Sequence, residues 1–281
     1  MEKSIIFPYT SNCKINLGLQ ILNKRNDNFH NLESIFVEID LSDTLNFQKS
    51  EEFIFTSNDK HLSKLGNNTI ISAYQKLESL YSGNDSYSIH LEKKIPMGAG
   101  LGGGSSNAAT TLKALNSLWD LKLSDNKLIE IALSIGSDTP FFINGKNQYI
   151  EGKGDLLTPL LNLKLAQYYI LIIDPGIHID TKHAYQLLKK GLEVPKRHNK
   201  FLDYNNQVNW ELLKNDFENV VFSTYPGISA VKKNLISGKV LYAGLSGSGS
   251  TVYGIFVNKE DALEASLLFP SYKTYLTSSI A

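Results

Sequence analysis

The chain has 281 residues, 42% of them apolar and 20% charged, with 28 Lys plus Arg set against 28 Asp plus Glu. That balance belongs to a folded globular protein with one large core or two modest ones, and it excludes disordered, collagen-like and membrane classes. Zero net charge supplies no overall positive field to gather nucleic acid or anionic lipid, so neither partner is expected.

The first apolar run stops at Pro8, too early for a signal-peptide core, and no later run has the length of a membrane span. The single cysteine, Cys13, has no partner for an internal disulfide and no second ligand at metal spacing. A reducing cytoplasm is the expected location.

In chain order, residues 13–20 alternate: Cys13, Ile15, Leu17 and Leu19 share one face, and Lys14, Asn16, Gly18 and Gln20 share the other. The spacing predicts a strand with a core face and a polar face. Further strands are predicted over residues 34–39, 44–48 and 53–56, separated by Asp, Asn and Ser turn residues, as an antiparallel sheet. Residues 67–81 change to helical spacing, and Tyr87, Ile89 and Leu91 alternate again. A helix from Ser105 to about Trp119 follows, then a second over residues 124–135 that Gly136 can end. Beyond Gly154 the texture shifts: residues 168–173 suit a buried strand, helices are predicted near residues 183–190 and 228–236, and strands over residues 240–243 and 251–257. Residues 192–209 read as a polar, basic connector. A boundary near residues 155–160 divides an N-terminal domain, 1–157, from a C-terminal one, 158–281.

The most informative stretch is Pro96-Met97-Gly98-Ala99-Gly100-Leu101-Gly102-Gly103-Gly104-Ser105-Ser106. Glycines let backbone amides approach a ligand without a Cβ in the way, and a helix that begins there adds unpaired N–H groups and the positive end of its dipole. Such a site suits phosphate, with Ser105 and Ser106 available to cap the helix or to donate hydroxyl hydrogen bonds. The bland reading is a close-packed turn.

Gly98, Gly100 and Gly103 also satisfy the dinucleotide fingerprint G-x-G-x-x-G. That reading needs a parallel strand ending in an acidic residue after the helix, and here a second helix follows; Asp120 has the right distance in the wrong setting. No G-x-x-x-x-G-K-[ST] occurs. The second small-residue turn, Ser246-Gly247-Ser248-Gly249, misses the G-x-S-x-G of a hydrolase elbow because position 248 carries serine where glycine is needed.

Residues 96–109 resemble the central motif of the GHMP kinases. Three more segments are similar to one branch of that family: Cys13-Lys14-Ile15-Asn16-Leu17, Phe29-His30-Asn31-Leu32-Glu33-Ser34 and Gly136-Ser137-Asp138-Thr139-Pro140-Phe141-Phe142. The resemblance runs from Lys14 to about Val257 with the motifs in order. It implies an α+β, two-domain fold: an N-terminal mixed sheet carrying the glycine-loop and helix nucleotide site, a C-terminal α/β sandwich, and a ligand cleft between them. It implies ATP as co-substrate with Mg²⁺, no protein ligand for the metal being assignable, and an acceptor hydroxyl on the methylerythritol part of a small molecule that carries a cytidine diphosphate. Another small-alcohol kinase, for homoserine or mevalonate, is the competing reading.

The resemblance also implies roles. Asp138 is the expected base, against the plain reading of Asp-Thr-Pro as a turn. Lys14 is expected to orient it and to stabilise the transferring phosphate, against the plain reading of a solvated lysine. Asn16 is expected at the substrate, Phe29 and His30 at the face and edge of cytosine, and Thr181 and Tyr185 near the nucleotide, with Tyr185 stacking on the base from the other side. The turn from Ser246 to Gly249 is similar to the third family motif, which closes on the phosphates. Two departures stand out: Cys13 replaces an alanine, and Phe29 replaces a tyrosine and loses its hydroxyl.

Overall fold

The computed structural model describes residues 5–64, 66, 68–188, 201–203 and 207–280. The chain divides into two compact units, one of Met1–Cys13, Leu41–Ile95 and Gly102–Gly145, the other of Lys14–Asp40, Pro96–Leu101 and Lys146–Ala281. Strands β1 (Ile6–Lys24) and β2 (His30–Ser50) each give one part to either unit.

In the first unit, the C-terminal part of β2 leads through β3 (Phe55–Ser57) to α1 (Thr69–Glu78) and β4 (Ser86–Glu92). β4 pairs antiparallel with β2 from Thr44 opposite Glu92 to Ser50 opposite Ser86, and β3 runs parallel to β4. α1 begins where the Asn68 side chain accepts from the amides of Ile70 and Ile71, and it buries Ile70, Ala73, Tyr74 and Leu77 on one face. Each large apolar side chain so buried stabilises the unit by about 1.5–3 kcal/mol before entropy is counted. Helices α2 (Gly103–Leu118), α3 (Asp125–Leu133) and α4 (Phe141–Asn144) complete this unit. Tyr74 meets Trp119 edge to face, and Tyr81 stacks on the same indole.

The second unit takes the N-terminal part of β2, which pairs antiparallel with β5 (Asn147–Glu151); β6 (Leu156–Pro159) pairs with β5 in turn. The chain continues through β7 (Tyr169–Asp174), α5 (Thr181–Leu187), α6 (Phe217–Thr224), α7 (Pro226–Ile236), β8 (Tyr242–Leu245), β9 (Val252–Phe256), α8 (Lys259–Ser266) and β10 (Lys273–Thr277). Four of these strands form an antiparallel sheet in the order β10-β7-β9-β8. Its centre is dry: Ile170, Leu171, Ile172 and Ile173 of β7 and all of β9 are buried.

The architecture is the expected α+β, with three corrections at the level of elements. Residues 34–48 form no pair of short strands. β2 is continuous for 21 residues, because Asp43, at the expected turn, is fully buried with its carboxylate bonded, and the amide of Asp40 donates to the Ser278 carbonyl. The polar face of residues 13–20 is not solvated: Lys14 and Asn16 are buried as completely as the apolar residues beside them. The helix start expected at Asn67 falls at Thr69, behind the Asn68 cap. Of the connector at residues 192–209, only 201–203 and 207–209 lie within the described residues, and the helix expected over 183–190 is described as Thr181–Leu187.

Candidate active site

The glycine stretch alternates in backbone hand. Gly98, Gly100 and Gly102 lie at φ of 61°, 79° and 70°, while Met97, Ala99 and Leu101 between them are not left-handed. Alternation of this kind turns successive N–H groups toward one side and makes a concave anion site. A Cβ at Gly100 would overlap the carbonyl of Ser246, so glycine is required there by packing as well as by conformation. The left-handed glycines and the close approach of Ser246 to Gly100 thus belong to one backbone path.

Gly102, not Ser105 or Ser106, is the N-cap of α2, without a side-chain cap. The first turn holds no acidic side chain, so nothing on the helix neutralises its positive end. Ser105 is half-buried at this end. Ser106 faces inward: its hydroxyl is buried and lies 2.8 Å from that of Ser11, which takes it away from the solvent side of the loop. The expected hydroxyl donation thus falls to Ser105 alone.

In the second unit, Lys14 and Asn16 sit two residues apart on β1 and share one face. The Lys14 ammonium donates to Asn16 Oδ1 at 2.6 Å and to the Gly100 carbonyl at 3.2 Å, and it stands 4.5 Å from the centroid of Phe36. Only 3% of Lys14 is exposed, which removes the reading of a solvated surface lysine. Asn16 is held from two sides, its Nδ2 donating to Ser34 Oγ at 3.1 Å and its carbonyl accepting from the Tyr253 hydroxyl at 2.6 Å. Ser34 passes the restraint on to the Gly18 carbonyl at 2.6 Å.

The third-motif turn joins β8 to β9. The Ser246 hydroxyl donates to the Gly100 carbonyl at 2.9 Å, and the Thr251 amide donates to Ala99 at 3.2 Å, so the two small-residue segments are laced together. Ser248 Oγ lies 3.0 Å from Thr181 Oγ1 on the first residue of α5. Asn215, which the sequence reading passed over, fixes the turn: its Nδ2 donates to the carbonyls of Leu245 and Gly247, both at 2.8 Å, and its Oδ1 accepts from Phe217. The neighbouring Asp216 accepts from the Ile21 amide on β1 at 2.8 Å. No periodicity marks these residues; Asn-Asp before an apolar run reads only as a turn or cap.

Phe29 is 55% exposed, with the Lys153 ammonium 5.3 Å above its ring. His30 stacks directly on Tyr185, with centroids 5.1 Å apart and planes inclined by 20°. A planar base cannot enter between these two rings, since two stacking contacts of about 3.5 Å each are needed. Phe29 leaves much of its ring exposed, and the rings of Tyr185 and Phe217 meet edge to face at 89°.

Asp138, in the first unit, is half-buried in the turn from α3 to α4. The Thr139 amide closes the turn on the Gly136 carbonyl at 3.1 Å, and the buried Phe141 and Phe142 anchor its far side. Ser137 Oγ donates to Asp138 Oδ1 at 3.4 Å.

The family model for the GHMP kinases N terminal domain matches residues 68–146, and that for GHMP kinases C terminal matches residues 199–267. A 4-diphosphocytidyl-2-C-methyl-D-erythritol kinase of Thermodesulfovibrio yellowstonii is 40% identical over 273 residues, covering 92% of this chain and 93% of the relative. The chain belongs to the 4-diphosphocytidyl-2-C-methyl-D-erythritol kinase family of the GHMP kinases. A crystal structure of a 4-(cytidine 5'-diphospho)-2C-methyl-D-erythritol kinase agrees, with a TM-score of 0.80, 26% identity, and coverage of 98% of this chain and all of that one. A solved mevalonate kinase, with a TM-score of 0.72 and 14% identity over 97% of this chain and 99% of its own, shares the fold. Membership in this kinase family meets the resemblance drawn from the four sequence motifs.

Proposed function

We propose that the chain transfers the γ-phosphoryl group of ATP, delivered with Mg²⁺, to a hydroxyl on the methylerythritol part of 4-diphosphocytidyl-2-C-methyl-D-erythritol, a step of the non-mevalonate route to isoprenoids. The observation that carries the chemistry is the buried Lys14 ammonium at the carbonyl of Gly100, a cation built into the glycine stretch. Forty per cent identity along 92% of the chain supports the choice of acceptor.

In this reading residues 96–106 hold the ATP phosphates through backbone amides and the unneutralised start of α2, and Ser105 adds a hydroxyl. Asp138 takes the proton of the attacking hydroxyl as its oxygen bonds to γ-phosphorus, the bond to the β-phosphate oxygen breaks, and ADP leaves. Lys14 neutralises charge that develops on the transferring group, and Asn16 hydrogen-bonds the acceptor. Phe29 presents one face on which cytosine stacks, His30 meets its hydrogen-bonding edge, and Tyr185, stacked on His30, covers the base from the other side. Thr181 and the turn from Ser246 to Gly249 close on the phosphates. Residues 1–157 serve as the ATP-binding domain and 158–281 as its C-terminal companion. A cytoplasmic site of action goes with this chemistry, as ATP is drawn from that pool.

Release of ADP measured by a coupled assay tests the reading. Turnover is expected with the cytidine compound and not with homoserine or mevalonate. The reverse pattern overturns it.

A further inference from the structure

One buried charge in the first unit is used by none of the roles above. Asp43 is 0% exposed and its carboxylate accepts four hydrogen bonds. Oδ1 takes the backbone amides of Lys94 at 2.7 Å and Ile95 at 2.8 Å; Oδ2 takes the Lys93 ammonium at 2.7 Å and Asn107 Nδ2 at 2.9 Å. The partners are not scattered. Ile95 is the last residue before the glycine stretch, and Asn107 stands on the first turns of α2, directly after it. One carboxylate thus grips the chain on both sides of the loop.

The grip extends further. Lys93 also donates to the Ile95 carbonyl at 2.7 Å, and Asn107 reaches Ser11 Oγ on β1 at 3.0 Å, which in turn meets Ser106. Gly103 is drawn in as well: a Cβ there would stand 3.1 Å from the Lys93 ammonium, so this cation lies under the helix start. Burial pushes the Lys93 pKa down, against which the Asp43 charge holds the proton in place. An unpaired charge at this depth is costly, so the Asp43 and Lys93 charges depend on each other.

We propose that Asp43, through Lys93 and Asn107, is a positioning residue for nucleotide binding: it fixes the distance and direction between the last residue before the glycine stretch and the helix after it. A phosphate grip made of backbone amides has no side-chain slack, so its geometry is set by where its two ends are held. This inference rests on the reading of residues 96–106 as the phosphate site.

The test uses Asn107→Ala, which cuts the tie to α2 and leaves the buried ion pair whole, and Asp43→Asn, which removes the charge. Binding of the magnesium complex of a non-hydrolysable ATP analogue is measured by titration calorimetry, with steady-state KM values and thermal melting alongside. Both variants are expected to bind the analogue about tenfold to a hundredfold more weakly, Asp43→Asn the more so, while the KM of the alcohol stays within twofold. If Asp43→Asn does not fold, Asn107→Ala decides. A folded variant with analogue affinity within twofold of the unsubstituted chain overturns the proposal, as does an equal weakening of both substrates, which marks a merely structural role. An unsubstituted chain that binds no analogue refutes the phosphate-site reading itself.

Discussion

In the proposed mechanism Asp138 is the proton acceptor, which has to hold one direction while the acceptor hydroxyl arrives, and the turn that carries it is tied down on both sides. Gly136 and Thr139 close it by a backbone bond, Pro140 restricts its path, and Phe141 and Phe142 are buried beyond it. Asp138→Asn keeps shape and polarity and removes the basicity. The expected outcome is a fall of roughly 10²–10⁴ in kcat with nucleotide affinity retained, read by single-turnover assay and calorimetry. Turnover near that of the unsubstituted chain removes Asp138 as the base. At this scale the sequence was legible for residue types and spacing: Lys14 and Asn16 share a face because strands repeat every two residues. Their burial was not legible, since alternation distinguishes the two faces without saying what covers each.

At the scale of elements, the turn between β8 and β9 is held by a segment that no pattern announces. Asn215 satisfies two carbonyls of the turn and one amide of α6, so its loss strands three buried polar groups. Asn215→Ala is expected to destabilise the protein by about 1–3 kcal/mol and to raise the KM of ATP, as a lower urea midpoint and a shifted saturation curve will register. An unchanged midpoint would refute this role. The helices and strands with strong periods, α1, α2, α3, β4, β7 and α7, fell close to where their spacing put them. The elements that went unread are short or polar: α4 has four residues, and β10, Lys-Thr-Tyr-Leu-Thr, has an exposed or half-exposed residue at every position. Such a strand exists because β7 offers it five partners, from Asp174 to Ile170, which no local signal records.

For the molecule as a whole, the second unit hides two phenols in its antiparallel sheet. Burial pushes Tyr242 and Tyr253 well above the usual tyrosine range, and the nearby negative charge of Glu218 adds to the rise. Below a pH of about 10 these groups are neutral both folded and unfolded; above it the unfolded chain releases protons that the folded chain retains. The unfolded state then binds fewer protons, so stability falls as pH rises past about 10. Urea midpoints at pH 8 and pH 11 are expected to show the loss, and Tyr253→Phe to shrink it; a midpoint independent of pH across that interval contradicts the assignment. The sequence by itself determined the family and the glycine-loop-then-helix path proposed to hold phosphate, because both are written in short contiguous runs, where glycine spacing and a helix start dictate backbone geometry locally. Only the tertiary structure decided what surrounds them. Tyr253 reaches Asn16 across 237 positions of chain and Asn107 reaches Asp43 across 64. Hydrogen bonds and burial act through space, and one-dimensional spacing carries no measure of which distant residues the fold will bring within about 3 Å.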